Sequence, residues 1–310
     1  MTALICGSMA YDTVMVFEGR FRDHILPDRL HVLNVSFMTP SMRRNFGGCA
    51  GNIAYNLQIV GGDGLIMATV GHDFGPYREW LERWGLAPTH VRTVAAQFTA
   101  QAFITTDLDN NQITAFHPGA MNYSHLNRVN DSTGVTLGIV APDGREGMLE
   151  HAEQFAAAGI PFIFDPGQGL PMFGGPELRG FIERASWIAV NDYEASLLAQ
   201  RTGWSLEQIA ARVRALIVTR AALGSWIFAG GERLEVPVAR VARVADPTGC
   251  GDAYRAGLLY GLARGLDWAS TGRIAALLAS IKLEHHGTQS HCCSPDEFKE
   301  RFLSEFGYLP

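Results

Sequence analysis

Lysine is almost missing from this chain: of its 25 basic residues only Lys282 and Lys299 are lysines. The lysine-bearing phosphate loop G-x-x-x-x-G-K-[ST] is missing as well, which argues against a P-loop enzyme. No G-x-G-x-x-G follows the first apolar segment, so a dinucleotide-binding oxidoreductase is a distant alternative. Basic residues form no stripe, and the formal charge is -6 with a sequence pI near 5.9; neither suits a nucleic-acid partner. No apolar run reaches the length of a membrane span, and residues 1–8 read as a strand rather than an export signal, so no membrane partner is expected. Cysteine is sparse: five residues, an odd number scattered along the chain, which points to reduced thiols in the cytoplasm. Internal repeats and low-complexity tracts are absent.

What is present suits an α/β protein. The chain has 310 residues, 47% of them hydrophobic and 18% charged, enough to bury a sizeable core. Residues 3–7 form a short apolar strand, and 13–45 read as extended segments and loops, with alternation at 14–17 and 31–37. A helix is expected from near Asn52 to Val60, with Ile53, Leu57 and Val60 on one face and Gly61-Gly62 as its stop. Residues 65–70 read as a buried strand and 77–84 as a helix. Strands at 99–105 and 112–116 flank the turn-forming 107–111 and make a hairpin. Beyond residue 134, apolar runs at 135–140, 161–164, 187–190, 216–219 and 226–228 alternate with helical stretches at 145–158, 176–185, 192–202 and 205–215. That alternation predicts a mostly parallel sheet sandwiched by helices. The end is helical, at 252–264, 268–284 and 295–305. The expected organisation is an α/β core from 1–12, 46–95 and 118–310, with 13–45 and 96–117 pairing into a small β-sheet lid. Ligands of such sheets bind beyond the carboxyl ends of the strands, where a lid would cover them.

Two glycine-rich turns carry the chemistry. Asp246-Pro247-Thr248-Gly249-Cys250-Gly251-Asp252 follows an extended segment, 236–244, and opens a helix. Amides at a helix start converge and bear partial positive charge, which makes an anion site that needs no lysine. A carboxylate at its mouth would repel a phosphate. It makes sense if Asp252 takes a proton from an attacking hydroxyl; alternatively Asp252 caps the helix. The second turn, Phe46-Gly47-Gly48-Cys49-Ala50-Gly51-Asn52, permits close backbone approach to a ligand, or is a plain helix start capped by Asn52.

These residues resemble the two signatures of the ribokinase-like (phosphofructokinase-B) kinases, which phosphorylate sugars, nucleosides and related alcohols. The resemblance implies a ribokinase-like fold, ATP as phosphate donor and Mg²⁺ as cofactor. It makes Asp252 the catalytic base and the amides of Gly249, Cys250 and Gly251 the anion hole. It implies that the Gly47–Asn52 turn holds substrate hydroxyls, so Gly47, Gly48 and Asn52 inherit that role. Gly7-Ser8-Met9-Ala10-Tyr11-Asp12 resembles the family's G-S-x-x-x-D, whose Asp binds sugar hydroxyls; Asp12 is read as ending the first strand, where a turn Asp is the plainer account. Asn191-Asp192-Tyr193-Glu194 matches N-x-x-E, implying that Asn191 and Glu194 order Mg²⁺-bound waters and phosphates. As local structure, the same pair makes a capping box. Thr219-Arg220-Ala221-Ala222-Leu223-Gly224 resembles the nucleotide turn T-x-G-x-x-G, with Thr219 and Gly224 matching, Ala221 in place of a Gly, and Arg220 placed to reach ATP phosphates. Thr248 and His286 are assigned to the ATP side.

Residues 284–293, with three His and two Cys, invite a zinc reading, but their spacing lacks a paired pattern. The resemblance places such a loop beside the nucleotide base and, in some members, a monovalent cation. Phe17, Phe103 and Phe116 fall on the lid segments, where a flat base could stack or the lid could pack on itself; Phe116 is taken as a substrate contact. Within the family, residues 111–121 and 284–289 look like bacterial and archaeal adenosine or nucleoside kinases. The expected reaction is phosphorylation of a nucleoside 5′-hydroxyl by MgATP. A sugar kinase of the same fold and a non-catalytic nucleoside-binding regulator are the alternatives. The chain is expected to act as a monomer or homodimer.

Overall fold

The computed structural model describes residues 1–25 and 34–310. In chain order, β1 (Thr2–Cys6) leads to β2 (Ala10–Val16), α1 (Phe21–His24), β3 (Ser41–Gly47), α2 (Cys49–Ile59), β4 (Asp63–Val70), α3 (Gly75–Arg83) and β5 (His90–Thr93). The hairpin β6 (Ala100–Thr106) and β7 (Gln112–His117) follows. Then come β8 (Val135–Val140), α4 (Arg145–Ala157), β9 (Phe162–Phe164), α5 (Gly175–Arg184), β10 (Trp187–Asn191), α6 (Asp192–Thr202), α7 (Leu206–Ala210) and β11 (Ala215–Thr219). The chain ends with β12 (Ser225–Ala229), β13 (Glu232–Val236), α8 (Cys250–Ala263), α9 (Trp268–Leu283) and α10 (Pro295–Phe306).

Nine strands form one sheet in the order β13-β12-β11-β10-β9-β8-β1-β4-β5. All neighbours from β11 to β5 are parallel; β12 and β13 add antiparallel edge strands. The central strands are continuous apolar runs because both faces are covered. One face packs on α2, α3, α8, α9 and α10 through residues such as Ile53, Leu81, Leu258 and Leu277. The other packs on α4 to α7 through Phe155, Phe181, Leu198 and Ile209. The mostly parallel sheet sandwiched by helices is therefore the architecture that the alternation of runs implied.

A second sheet, β3-β2-β6-β7, stands beside the first. Its registers place Asp12 opposite both Asn45 and Ala102, and Ala102 opposite Phe116. Directly opposite residues share a face, so Asn45, Asp12, Ala102 and Phe116 form one row across it.

Several boundaries differ from expectation for identifiable reasons. Asp12 does not end the first strand. The chain leaves β1 at Cys6, and Ala10 already pairs with Gly47, so Asp12 lies in the second strand of the small sheet. Helix α2 begins at Cys49 rather than near Asn52. Ser8 does the capping: its Oγ accepts from Cys49 N (3.2 Å) and its carbonyl from Ala50 N (2.9 Å). The helix expected at 205–215 stops at Ala210, and Arg212 instead lays its guanidinium 3.9 Å over the Trp204 ring before β11 begins. Residues 237–244 are irregular, since Pro237 has no N–H to extend the β13 ladder. Of the alternation at 31–37, residues 31–33 lie outside the described residues, and 34–37 join no strand.

Candidate active site

The two glycine-rich turns meet beyond the carboxyl ends of the central strands. Gly48 enters α2 at φ +86°, and a Cβ there would come within 2.6 Å of the Ser8–Ala10 backbone, so only glycine fits. Gly249 enters α8 at φ +81°. Asp252 is thus the third residue of α8, not its cap. The Cys250 amide is held by Pro247 O at 3.2 Å. Among the described residues the amides of Gly249 and Gly251 have no partner, and the space a Cβ of Gly251 would fill is open. A helix start with unspent amides and open space before it can receive an anion.

A hydrogen bond joins the turns: Asn52 Nδ2 donates to Asp252 Oδ2 at 2.8 Å. A chain of donors fixes its direction. Trp80 Nε1, which can only donate, bonds Gln289 Oε1 at 3.0 Å. Gln289 must then present its nitrogen to Asn52 Oδ1 (2.9 Å) and to Tyr77 Oη (2.6 Å). Tyr77 Oη in turn donates to Gly47 O at 2.9 Å. With its oxygen occupied, Asn52 can only offer N–H to Asp252. Asn52, expected to hold substrate hydroxyls, has a buried amide that bonds Gln289 and Asp252 and keeps one further N–H.

Burial pushes the Asp252 carboxyl up to about 7, and the nearby Asp165 charge adds to this against the Asn52 hydrogen bond and the Arg255 charge. A carboxylate that titrates near neutrality suits proton transfer. Arg255, one turn further along α8, makes a bidentate pair with Asp165 just beyond β9 (Nε–Oδ2 3.1 Å, Nη2–Oδ1 3.0 Å) and donates to Ala189 O in β10 at 3.1 Å. Both side chains are about 95% buried.

Asn191 and Glu194 form a reciprocal capping box at the start of α6, each side chain accepting from the other's amide at 2.8 Å. Burial raises the Glu194 carboxyl, and the hydrogen bond from the Asn191 amide opposes it. Only Glu194 Oε2 is used, which leaves Oε1 for a water. Among the described residues no three His, Cys, Asp or Glu side chains gather to hold a metal. A hard cation that keeps most of its waters, as Mg²⁺ does, fits such a donor set.

Asp12 lies over Gly47, where any Cβ would strike its carboxylate, and burial with the Asp246 charge raises its carboxyl to about 6. Phe116 is exposed on the same face, and so is open to a ligand; Phe17 instead packs with Phe21 and Phe37. Thr219 and Gly224 bracket the turn after β11, where Arg220 N donates to Gly224 O at 2.8 Å. Ala221 sits there at φ +48°, the left-handed region its missing glycine would favour. Arg220 stacks 3.8 Å over Trp226 and bonds Leu223 O, leaving its buried Nε without a partner among the described residues. Thr248 and His286 are exposed, on two loops joined by the Gly287 N–Asp246 Oδ2 hydrogen bond. Asp165, Arg255, Gln289 and Lys282 carried no expected role. Gln289 lay within a quoted stretch, and Arg255 follows Asp252 at helical spacing, but neither spacing names a partner across the fold.

The pfkB family carbohydrate kinase model matches residues 12–296. The nucleoside kinase of Methanocaldococcus jannaschii is 34% identical over 272 residues, 86% of this chain and 89% of its own. A solved structure of Burkholderia thailandensis nucleoside kinase in complex with inosine superposes with a TM-score of 0.91 at 53% identity, covering 99% of both chains. The same enzyme with ADP and inosine superposes at 0.88, at 54% identity, over 99% of this chain and 97% of its own. The chain belongs to the pfkB carbohydrate kinase family, phosphotransferases that use ATP and an alcohol acceptor.

Proposed function

We propose that the chain transfers the γ-phosphoryl group of MgATP to the 5′-hydroxyl of a purine nucleoside. The observation that carries this is the Asn52–Asp252 contact at the mouth of α8. A carboxylate beside an anion site is unfavourable unless it removes the proton of the group that attacks phosphorus. Asp252 accepts that proton, and Asn52 holds its other oxygen. The amides of Gly249 and Gly251 receive charge on the transferring group, in a turn that Cys250 closes through Pro247. Asp12, Gly47 and Gly48 line the ribose side, and Phe116 offers a flat surface to the base. Thr219, Arg220, Gly224, Thr248 and His286 flank the ATP side. When bound, Mg²⁺ supplies positive charge to the phosphate oxygens; Asn191 and Glu194 would hold it through water. The small sheet acts as a lid that keeps water from the phosphoryl group.

The nucleoside as acceptor is supported by the high identity to an enzyme solved with inosine. Five free thiols fit a reducing compartment, and we assign the protein to the cytoplasm. The test is an ADP-release panel with MgATP and adenosine, inosine, guanosine, ribose, fructose or fructose 6-phosphate. Purine nucleosides should exceed free sugars by about a hundredfold or more in kcat/KM, because the base contacts are lost with sugars. A sugar turning over faster than every nucleoside overturns the acceptor. No ADP release with any alcohol supports a binding protein instead.

A further inference from the structure

Lys282 is one of two lysines in the chain, and its side chain is 0% exposed. A buried ammonium is costly unless its charge and hydrogen bonds are satisfied. It lies in the last turn of α9, where the helix dipole favours a cation. Its Nζ donates to two main-chain carbonyls, Asp246 O at 2.6 Å and His285 O at 3.1 Å. Those carbonyls belong to the two loops that border the α8 anion site. Asp246 opens the 246–252 turn, and its carboxylate binds Thr248 N and Gly287 N, each at 2.9 Å. Burial works against that carboxylate's charge, yet the two amide bonds and Lys282 hold it below the ordinary range. Leu283 O accepts from Ala245 N (2.9 Å) and Asp246 N (3.2 Å), which ties the same strand of backbone to the end of α9. Within the turn, burial pushes the Cys250 thiol up to about 11 while the Lys282 charge counters it. The ammonium therefore sits under the phosphate turn, bonded as a small monovalent cation between carbonyl oxygens would be.

We propose that Lys282 is a tethered monovalent cation that sets the 246–252 turn for phosphate binding, so that the enzyme turns over without free K⁺ or Na⁺. Lys282 is a positioning residue: it acts through Asp246 and touches no substrate. This rests on the reading of that turn as the phosphoryl site.

The experiment measures kcat and KM at constant ionic strength with KCl, NH₄Cl or tetramethylammonium chloride as the only added monovalent salt. Wild-type turnover should be the same in all three. Lys282→Met should lower kcat by about tenfold or more with nucleoside KM little changed, as a misplaced catalytic turn does. NH₄⁺ or K⁺ should restore part of that loss, and tetramethylammonium, too large for the space, none; a merely structural lysine would show no such size-selective rescue. If Lys282→Met does not fold, Lys282→Gln takes its place, since its amide donates to carbonyls without charge. Wild-type activity that needs K⁺, or either variant keeping wild-type turnover in tetramethylammonium chloride, or a loss that no small cation restores, overturns the proposal. Wild-type inactivity with every nucleoside would instead overturn the phosphoryl-site reading itself.

Discussion

Asp252 is poised by its surroundings rather than by its type. Withdrawn from solvent and near Asp165, its carboxyl lies at about 7 instead of 3.8. The proposed base must be ionised to accept a proton, so activity is expected above that value and is expected to be lost as pH falls through it. The acid limb of kcat/KM against pH is expected near 7; a limb at the ordinary carboxylate range would contradict the environment described. The Trp80–Gln289–Asn52 chain makes a sharper demand. In Gln289→Glu a carboxylate replaces the amide that donates to Asn52 Oδ1. Asn52 is then expected to rotate its nitrogen toward the new carboxylate and its oxygen toward Asp252. Losing the Asn52 donor on the proposed base should cost about tenfold or more in kcat/KM and move the acid limb to higher pH. An unchanged profile would show that the Asn52 orientation does not matter.

Helix α8 carries the proposed base and anion site on its first turn, and Arg255 on its second ties it to the end of β9 and to β10. Arg255→Met leaves Asp165 buried and unpaired, which should cost about 3–5 kcal/mol in urea unfolding. The Arg255→Met/Asp165→Asn double variant should recover part of that, since no lone charge remains. Equal losses in single and double variants would mean that the pair contributes only shape. The turn after β11 stores a small opposite effect. Ala221 at φ +48° is strained in a way that glycine is not, so Ala221→Gly should stabilise by up to about 1 kcal/mol. A destabilised variant would mean that the Ala221 side chain contributes packing that outweighs the relief.

At the scale of the whole molecule, most of the fold was legible because its core strands are short apolar runs punctuated by amphipathic helices. β4, β8, β10 and β11 came out within two residues, and so did the hairpin of β6 and β7. Local signals failed where distant residues decide. Ser8 rather than Asn52 caps α2, and no pattern within 46–52 announces that. The turns of the site were legible from their glycines, since positive φ and close approach leave a local mark. Asp165, Gln289 and Lys282 were not, because their roles exist only through partners 90 to 237 positions away or through burial. The scarcity of lysine was visible; the reason one of the two is buried was not.

The central claim is that Asp252 activates the attacking hydroxyl. It is tested by comparing wild type with Asp252→Asn, measuring inosine binding by calorimetry and MgATP-dependent phosphorylation by ADP release. Asn keeps the shape of the side chain and can still accept from Asn52. Inosine affinity should therefore hold while kcat falls by about a hundredfold or more. A variant that binds inosine and turns it over near the wild-type rate would contradict the account.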